Sequence, residues 1–220
     1  MPEVLLTTAY FAPVSYYAYL WHSERACIEQ CEHYHKQSWR NRCLLAAANG
    51  PMALTVPVEH ENNQDIRSVR ITENGHWRHR HWQSIASAYQ SSPFFEYYED
   101  DLRPLVEEPS LPLLFDFNEL IRQRICELLD IHTPTALTEA FKPDYQSTDT
   151  LADLREEIHP KRDFRSLPGY RPKKYTQVFD GKFGFLPELS ILDLLFNMGP
   201  ESVLVLRDSL PAPVTDKSER

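Results

Sequence analysis

Three observations predict a mixed α/β or α+β protein: one compact domain of short β-strands, several packed helices and long proline-containing loops. The chain opens on a β-rich run, "EVLLTTAYF"; its middle carries apolar residues at helical spacing; and 17 prolines against 6 glycines punctuate the connections without a fibrous repeat. A length of 220 residues accommodates one substantial core, so residues 1–210 read as a single domain and 211–220 as a polar tail that frays.

Each element has a local reason. "EVLLTTAYF" is a strand, and Ala12-Pro13 turns the chain into a helix from Val14 to Trp21. "RACIEQ" is a short second strand, and Glu32 to Arg42 is a polar connection or short helix. "CLLAAANGPMALTVPV" reads as a hairpin centred on Asn49-Gly50, with Pro57 suited to an edge. Asp65 to Ile71 supplies another short strand, closed by Asn74-Gly75. "HWRHRHWQSIASAY" is a helix whose Trp77, His81, Ile85 and Tyr89 form one packing face and which presents Arg78 and His79 elsewhere.

"SSPFFEYYEDDLRPLVEE" is a pause followed by a short aromatic helix. "LPLLFDFNELIRQRICELLDI" is a longer one, capped by Asp116 or Asn118 near Phe117 to Ile121, with Ile121, Ile125 and Leu128 as its stripe. From Thr133 to Lys174, polar residues and five prolines predict an ordered loop or site lid, with a brief helix at Leu151 to Ile158. Near the end Ser190 caps "ILDLLFNM", and Gly199-Pro200 stops it.

Composition excludes several function classes. A formal charge of −9 offers no general attraction to nucleic acid, although "SWRNR" and "HWRHRHW" keep a stacking-based nucleic-acid binder as a rival. No basic start precedes an apolar run, and nothing reaches the roughly 20 apolar residues of a membrane span, so a cytoplasmic location is expected. Cys27, Cys31, Cys43 and Cys126 show no dense disulfide framework and are expected to be reduced. Cys27, Cys31, His33, His35 and Cys43 lack paired-cysteine spacing, so no metal site is assigned. A cysteine acyl carrier at Cys31 or Cys43 is disfavoured as well, since nothing in the sequence lowers a thiol pKa. The sequence identifies no cofactor: it contains no glycine-rich dinucleotide fingerprint, phosphate loop or serine elbow.

"TAYFAPVSYYAYL", "EQCEHYHKQSWRNR", "ALTVPV", "HWQSIASAYQSSPFFEYY" and "LSILDLLFNMGPE", in that order, resemble the WbqC-like protein family across most of the chain. Tyr10, Phe11, Pro13 and Tyr17, then Gln37, Trp39, Arg40, Asn41 and Arg42, then His81, Tyr89, Gly199 and Pro200 carry the match. The resemblance implies a bacterial protein of surface-polysaccharide or O-antigen biosynthesis, with transfer of an amino-acyl or acyl-type group to a sugar as its suggested activity. It carries over no catalytic assignment. Thr7-Thr8-Ala9 stands here where some relatives have a His-Gln-Pro opening, so no role of that histidine transfers.

The residues themselves suggest chemistry. Arg40 and Arg42 on one extended face would grip the anionic part of a sugar nucleotide or activated amino-acyl donor. Gln37 and Asn41 would read hydroxyl or carbonyl groups, while Trp39, Tyr10 and Tyr17 complete a ligand-binding set. The alternative is that the arginines pair with acids and Trp39 fills the core. His81, or else His79, is the candidate catalytic base, because imidazole titrates near neutrality; a hydrogen-bonded structural role for His81 competes with it. In this reading the early strand, the loop at 30 to 42 and the helix at 76 to 90 surround the site. Asp116 and Glu119 are better explained by a helix start than by paired acid catalysis. A noncatalytic binding or scaffold protein, with polysaccharide-pathway proteins as partners, is the rival to the transferase.

Overall fold

Leucine and valine after Glu3 make the most buried strand of the molecule, and the fold is organised around it. The computed structural model describes residues 3–108, 111–143 and 151–210; the expected polar tail lies outside the described residues. In chain order the elements begin with β1 (Glu3–Thr7), α1 (Val14–His22) and β2 (Arg25–Glu29). A hairpin, β3 (Arg42–Ala47) and β4 (Gly50–Thr55), is followed by the two-residue strands β5 (Val58–Glu59) and β6 (Arg70–Ile71). The helices α2 (Trp77–Tyr89), α3 (Phe95–Glu107) and α4 (Leu114–Leu128) come next, and then β7 (Thr135–Leu137) and β8 (Leu151–Asp153). A single turn, α5 (Asp180–Phe183), leads to α6 (Ile191–Met198) and α7 (Ser202–Ser209).

The principal sheet has the order β7-β2-β1-β8 and is parallel throughout. Parallel pairing buries both faces of the central strand, which explains why Val4, Leu5 and Leu6 are all buried rather than alternating. Helix α1 is buried on nearly every side, with Val14 to Leu20 enclosed, because it packs between the sheet and the terminal pair α6 and α7. The β3–β4 hairpin is antiparallel, turns at Ala48-Asn49 and places Gly50 at φ 108, a conformation that favours glycine. Helix α2 buries Trp77, His81, Ile85 and Tyr89, the stripe that its spacing predicts. The Ser190 side chain caps α6 by accepting from the Leu192 N–H, and the backbone leaves that helix at Gly199 with φ 54. The result is a mixed α/β single compact domain.

Several elements differ from the sequence reading. The brief helix expected at Leu151 to Ile158 is instead β8, whose Glu3–Leu151 to Leu5–Asp153 register pairs it with β1; the edge of β1 supplies hydrogen bonds that local propensity does not register. Strand β7 was not expected at all. Helix α4 starts at Leu114 with no side-chain cap, so neither Asp116 nor Asn118 is its cap. Asn118 lies inside the helix, and its Nδ2 donates to the Arg40 carbonyl at 2.7 Å. Asp65 to Ile71 is a 3-10 turn at Ile66–Ser68 followed by a two-residue strand. The aromatic helix α3 is longer than a short one, running through Pro104. Arg78 is not presented outward: it is 6 % exposed, forks onto Glu73 and lies over the Trp77 ring.

Beside the sheet lies a buried ion pair. Arg40 is 2 % and Glu32 4 % exposed, and the guanidinium donates from Nε at 2.7 Å and from Nη2 at 2.5 Å to the two carboxylate oxygens. Removing one partner strands the other charge in the interior. Arg40→Met is therefore expected to destabilise the protein by about 3–5 kcal/mol, and Glu32→Leu combined with Arg40→Met to recover most of that loss. Urea unfolding of the two variants beside the parent measures both effects.

Candidate functional site

The chain runs outward from β1 through β2 to β7 and then returns to β8 on the opposite flank of β1. In parallel sheets this reversal opens a crevice beyond the carboxyl ends of the strands, where ligands bind. Here the segments immediately after β1, β2 and β8 bound the crevice. The Tyr10 N–H, just beyond β1, donates to the Trp39 carbonyl at 2.9 Å, and the Leu154 N–H, just beyond β8, donates to the Leu5 carbonyl at 2.9 Å.

Charged side chains stitch these strand ends together. Glu29 at the end of β2 is wholly buried; it accepts from the Thr138 hydroxyl at 2.7 Å, the Cys31 N–H at 2.8 Å and Arg155 Nη1 at 2.9 Å. Arg155 also binds Asp153 at the end of β8, at 2.7 Å. Arg40 reaches Glu156 at 3.8 Å beside its closer contacts with Glu32. Each guanidinium thus bridges two carboxylates, Arg155 between Glu29 and Asp153 and Arg40 between Glu32 and Glu156, and the strand ends have little freedom to separate.

Two turns through the left-handed region are joined here, at Phe11 with φ 39 and at Glu188 with φ 61. Such conformations are costly for residues with a Cβ and gather at functional sites. The Phe11 carbonyl is held by the Ser190 hydroxyl at 2.8 Å, and the Val14 N–H donates to the Leu189 carbonyl at 3.0 Å, so the strained turn after β1 and the strained Glu188 turn brace one another.

Beside Glu188 lies a cleft of about 190 Å³, walled by Trp39, the stretch Glu157 to Pro160, Arg162, Phe164 and Glu188. Glu188 is a half-buried residue whose Oε1 is fully enclosed, with the Tyr170 hydroxyl beside the carboxyl, while its Oε2 accepts from the Ser15 hydroxyl at 2.6 Å. Burial pushes this carboxyl up, against the pull of the Ser15 and Tyr170 hydroxyls. Burial also lowers the His159 pKa. The His159 Nδ1 accepts the Lys161 N–H at 3.2 Å, which leaves the neutral ring its Nε2–H as a donor. Arg162 faces Glu157 at 3.4 Å. The cleft therefore offers an aromatic surface, one hydrogen-bond donor and one enclosed carboxyl.

Of the residues singled out from sequence, Trp39 lines this cleft. Tyr10, Trp39, Arg40, Asn41 and His81 do come together, but as packed interior. The Tyr10 hydroxyl and His81 Nδ1 are 3.0 Å apart, and Asn41 Nδ2 donates to the Val56 carbonyl at 2.9 Å. Tyr17 is buried in α1 with its ring edge-on to Tyr16. The two-pronged grip is not formed, because the Arg40 fork is filled by Glu32, while Arg42 begins β3 half-buried with an unpartnered Nε. Gln37 is exposed, and His79, 65 % exposed on α2, pairs with Glu107 at 3.0 Å. His81 is 6 % exposed, edge-on to Trp77, and bonded also to the Thr55 carbonyl.

Glu157, His159, Arg162 and Glu188 were missed. The available signal was "IHPKR" inside the proline-rich stretch that reads as a site lid, together with a glutamate directly after Pro187. Among the described residues, no three His, Cys, Asp or Glu side chains are grouped to hold a metal, and no helix is long and apolar enough to cross a membrane.

Comparison with known proteins gives a family and a relative. The model of the WbqC-like protein family matches residues 8–169. The chain is 29 % identical over 195 residues to the uncharacterized protein Rv1507c of Mycobacterium tuberculosis, covering 79 % of this chain and 84 % of that protein. No solved structure matches.

The enclosed imidazole has a measurable consequence. Burial, with Arg80 and Arg78 nearby, lowers the His81 pKa from 6.5 to about 4. Below pH 6.5 the unfolded chain takes up a proton that the folded protein refuses, so the stabilising difference is intact above pH 6.5 and is lost as pH falls towards 4. The loss attributable to His81 approaches roughly 3 kcal/mol. Denaturant unfolding of the parent and His81→Gln across this range is expected to show a shallower acid decline in the variant.

Proposed function

The chain belongs to the WbqC-like protein family, and from that membership we propose that it is a transferase of bacterial surface-polysaccharide or O-antigen biosynthesis, adding an amino-acyl or acyl-type group to a sugar. The observation that carries this reading is the cleft at the crevice beyond β1 and β8, where the Trp39 and Phe164 rings meet an enclosed carboxyl and an imidazole donor. Aromatic faces cover the C–H surface of a sugar ring, while carboxyl and imidazole groups read its hydroxyls. A volume of about 190 Å³ lies below the roughly 300–1,000 Å³ of drug-sized pockets. It suits a single ring or acyl group, with the rest of a donor such as a sugar nucleotide remaining outside.

In this reading Trp39 is the ligand-binding residue retained from the sequence. Glu188 is the candidate proton acceptor, because a carboxyl raised towards neutrality accepts a proton from an attacking hydroxyl or amine more effectively than an exposed one. Arg40 serves the scaffold, and so does His81. A noncatalytic binding role is the second reading. It is favoured by one of the two candidate acyl carriers: burial pushes the Cys43 thiol well above its ordinary value, so Cys43 is not a ready acyl-carrying nucleophile.

Ligand capture from a bacterial extract, read by mass spectrometry on the purified protein, tests the site. The parent is expected to retain a sugar-bearing small molecule, Trp39→Phe to retain it, and Trp39→Ala to lose it by about tenfold or more, the effect of removing one stacking face. Capture of no sugar-bearing molecule would overturn the reading. Turnover of the captured ligand with an activated acyl donor then separates the transferase from the binder.

A further inference from the structure

Glu188 is an enclosed carboxyl without a counterion. Among the described residues it makes no ion pair, in contrast to Glu29, Glu32 and Asp153, each of which meets a guanidinium; Asp193, also buried without an ion pair, lies away from the cleft and is held by the Tyr175 hydroxyl and the Gln177 amide. The cations nearest its surroundings are engaged elsewhere: Arg162 faces Glu157 at 3.4 Å, and Lys173 faces Asp208 at 3.6 Å. Its neighbours are hydroxyls. Ser15 on α1 donates to Oε2, the Tyr170 hydroxyl stands beside the carboxyl, and the Tyr19 hydroxyl is spent on the Pro168 carbonyl at 2.8 Å. A structural carboxyl in such a place needs an explanation, since a buried charge is normally paired or replaced.

The backbone adds a second, independent indication. Glu188 follows Pro187 at φ 61, where glycine would be less strained, so the chain tolerates a cost to keep a carboxyl at this corner of the cleft. Phosphate is a poor occupant. Glu157 and Glu188 are both on the walls, the His159 ring is held towards its neutral form, and Arg162 is already paired. A cation that brings its own carbon skeleton meets every condition: charge for Glu188, apolar surface for Trp39 and Phe164, and acceptor atoms for the His159 Nε2–H.

We propose that this cleft is a primary-amine site, in which the Glu188 carboxylate receives the ammonium group of an amino sugar or of an amino-acyl unit while Trp39 covers its carbon skeleton. The assignment rests on the cleft being the ligand site of the proposed transferase. It places the amine-bearing reactant inside and any nucleotide or other anionic carrier at the mouth. Binding lowers the raised carboxyl pKa, so amine affinity rises with pH until the amine itself loses its proton. The ionisable groups facing Glu188 are Tyr19 from α1, Glu157, His159 and Arg162 from the segment after β8, and Tyr170, Lys173 and Tyr175 from the segment before α5. Of these only His159 titrates ordinarily near this range, and it is held neutral by burial.

Calorimetry on the full chain with glucosamine, N-acetylglucosamine, glucose, glycinamide and uridine diphosphate is the test. An amine is expected to bind about tenfold or more tightly than the N-acetylated or neutral sugar, with the preference growing from about pH 5 to about pH 7.5. Glucosamine ahead of glycinamide assigns the amine to the sugar, and the reverse order assigns it to the amino-acyl unit. Glu188→Gln is expected to erase the preference. Should that variant fail to fold, proton release by the parent, read in two buffers of different ionisation enthalpy, reports the carboxyl directly. Equal binding of glucose and glucosamine overturns the amine assignment and leaves the sugar site standing, as does a preference that survives Glu188→Gln. Binding of uridine diphosphate alone overturns it in favour of an anion site. Failure of every probe overturns it too, and falls on the transferase reading as well only if no sugar-bearing ligand is captured from extract.

Discussion

The buried fork between Arg40 and Glu32 is the interaction on which the rest of the site depends. A guanidinium enclosed to this degree must satisfy its donors, and it does so by fixing the turn that follows β2. Through its carbonyl the same residue accepts from Asn118 of α4, and through Nη2 it reaches Glu156 in the segment after β8. One residue therefore ties a strand end, a helix and the wall of the cleft. Its neighbour Trp39 holds the Tyr10 N–H, which extends the connection to the end of β1. A pair of this kind adds less stability than its Coulomb energy suggests, because both charges are desolvated; its effect is to specify one arrangement of the segments it joins.

A parallel sheet with a reversal in strand order opens at its carboxyl edge, and this molecule closes most of that opening with paired charge. Glu29, Arg155 and Asp153 seal the ends of β2 and β8, and Thr138 brings in the chain after β7. One opening that remains is the cleft beside Glu188, whose turn is braced against the Phe11 turn through Ser190. Asp193 is likewise buried without an ion pair, but it is satisfied by the Tyr175 hydroxyl and the Gln177 amide. Its place on the wall of a cleft distinguishes Glu188 from that interior acid.

Much of the scaffold was legible in local sequence. The β1-α1-β2 unit follows from a β-rich run, a proline turn and a second apolar run; the hairpin follows from Asn49-Gly50, and the buried stripe of α2 from Trp77, His81, Ile85 and Tyr89. Strands β7 and β8 were not legible, because three residues carry no period and each strand exists only through the edge it pairs with. The site was legible only at Trp39. Arginine and histidine clusters announce unsatisfied polarity, but whether that polarity meets a ligand or a protein partner depends on residues distant in the chain, as with Tyr10 for His81.

By itself the sequence determined the longer local elements, the Ser190 cap, the Asn49-Gly50 turn and the class of fold, since periodicity and turn chemistry are properties of neighbouring residues. Tertiary structure alone decided the strand order, the sealing of Arg40 by Glu32, and the meeting of Trp39, His159 and Glu188 in one cleft. The physical reason is that burial and charge compensation arise between segments that approach only after the sheet has formed. The same carboxylate is a spent counterion at Glu32 and an unpaired group at Glu188, according to what the fold brings against it.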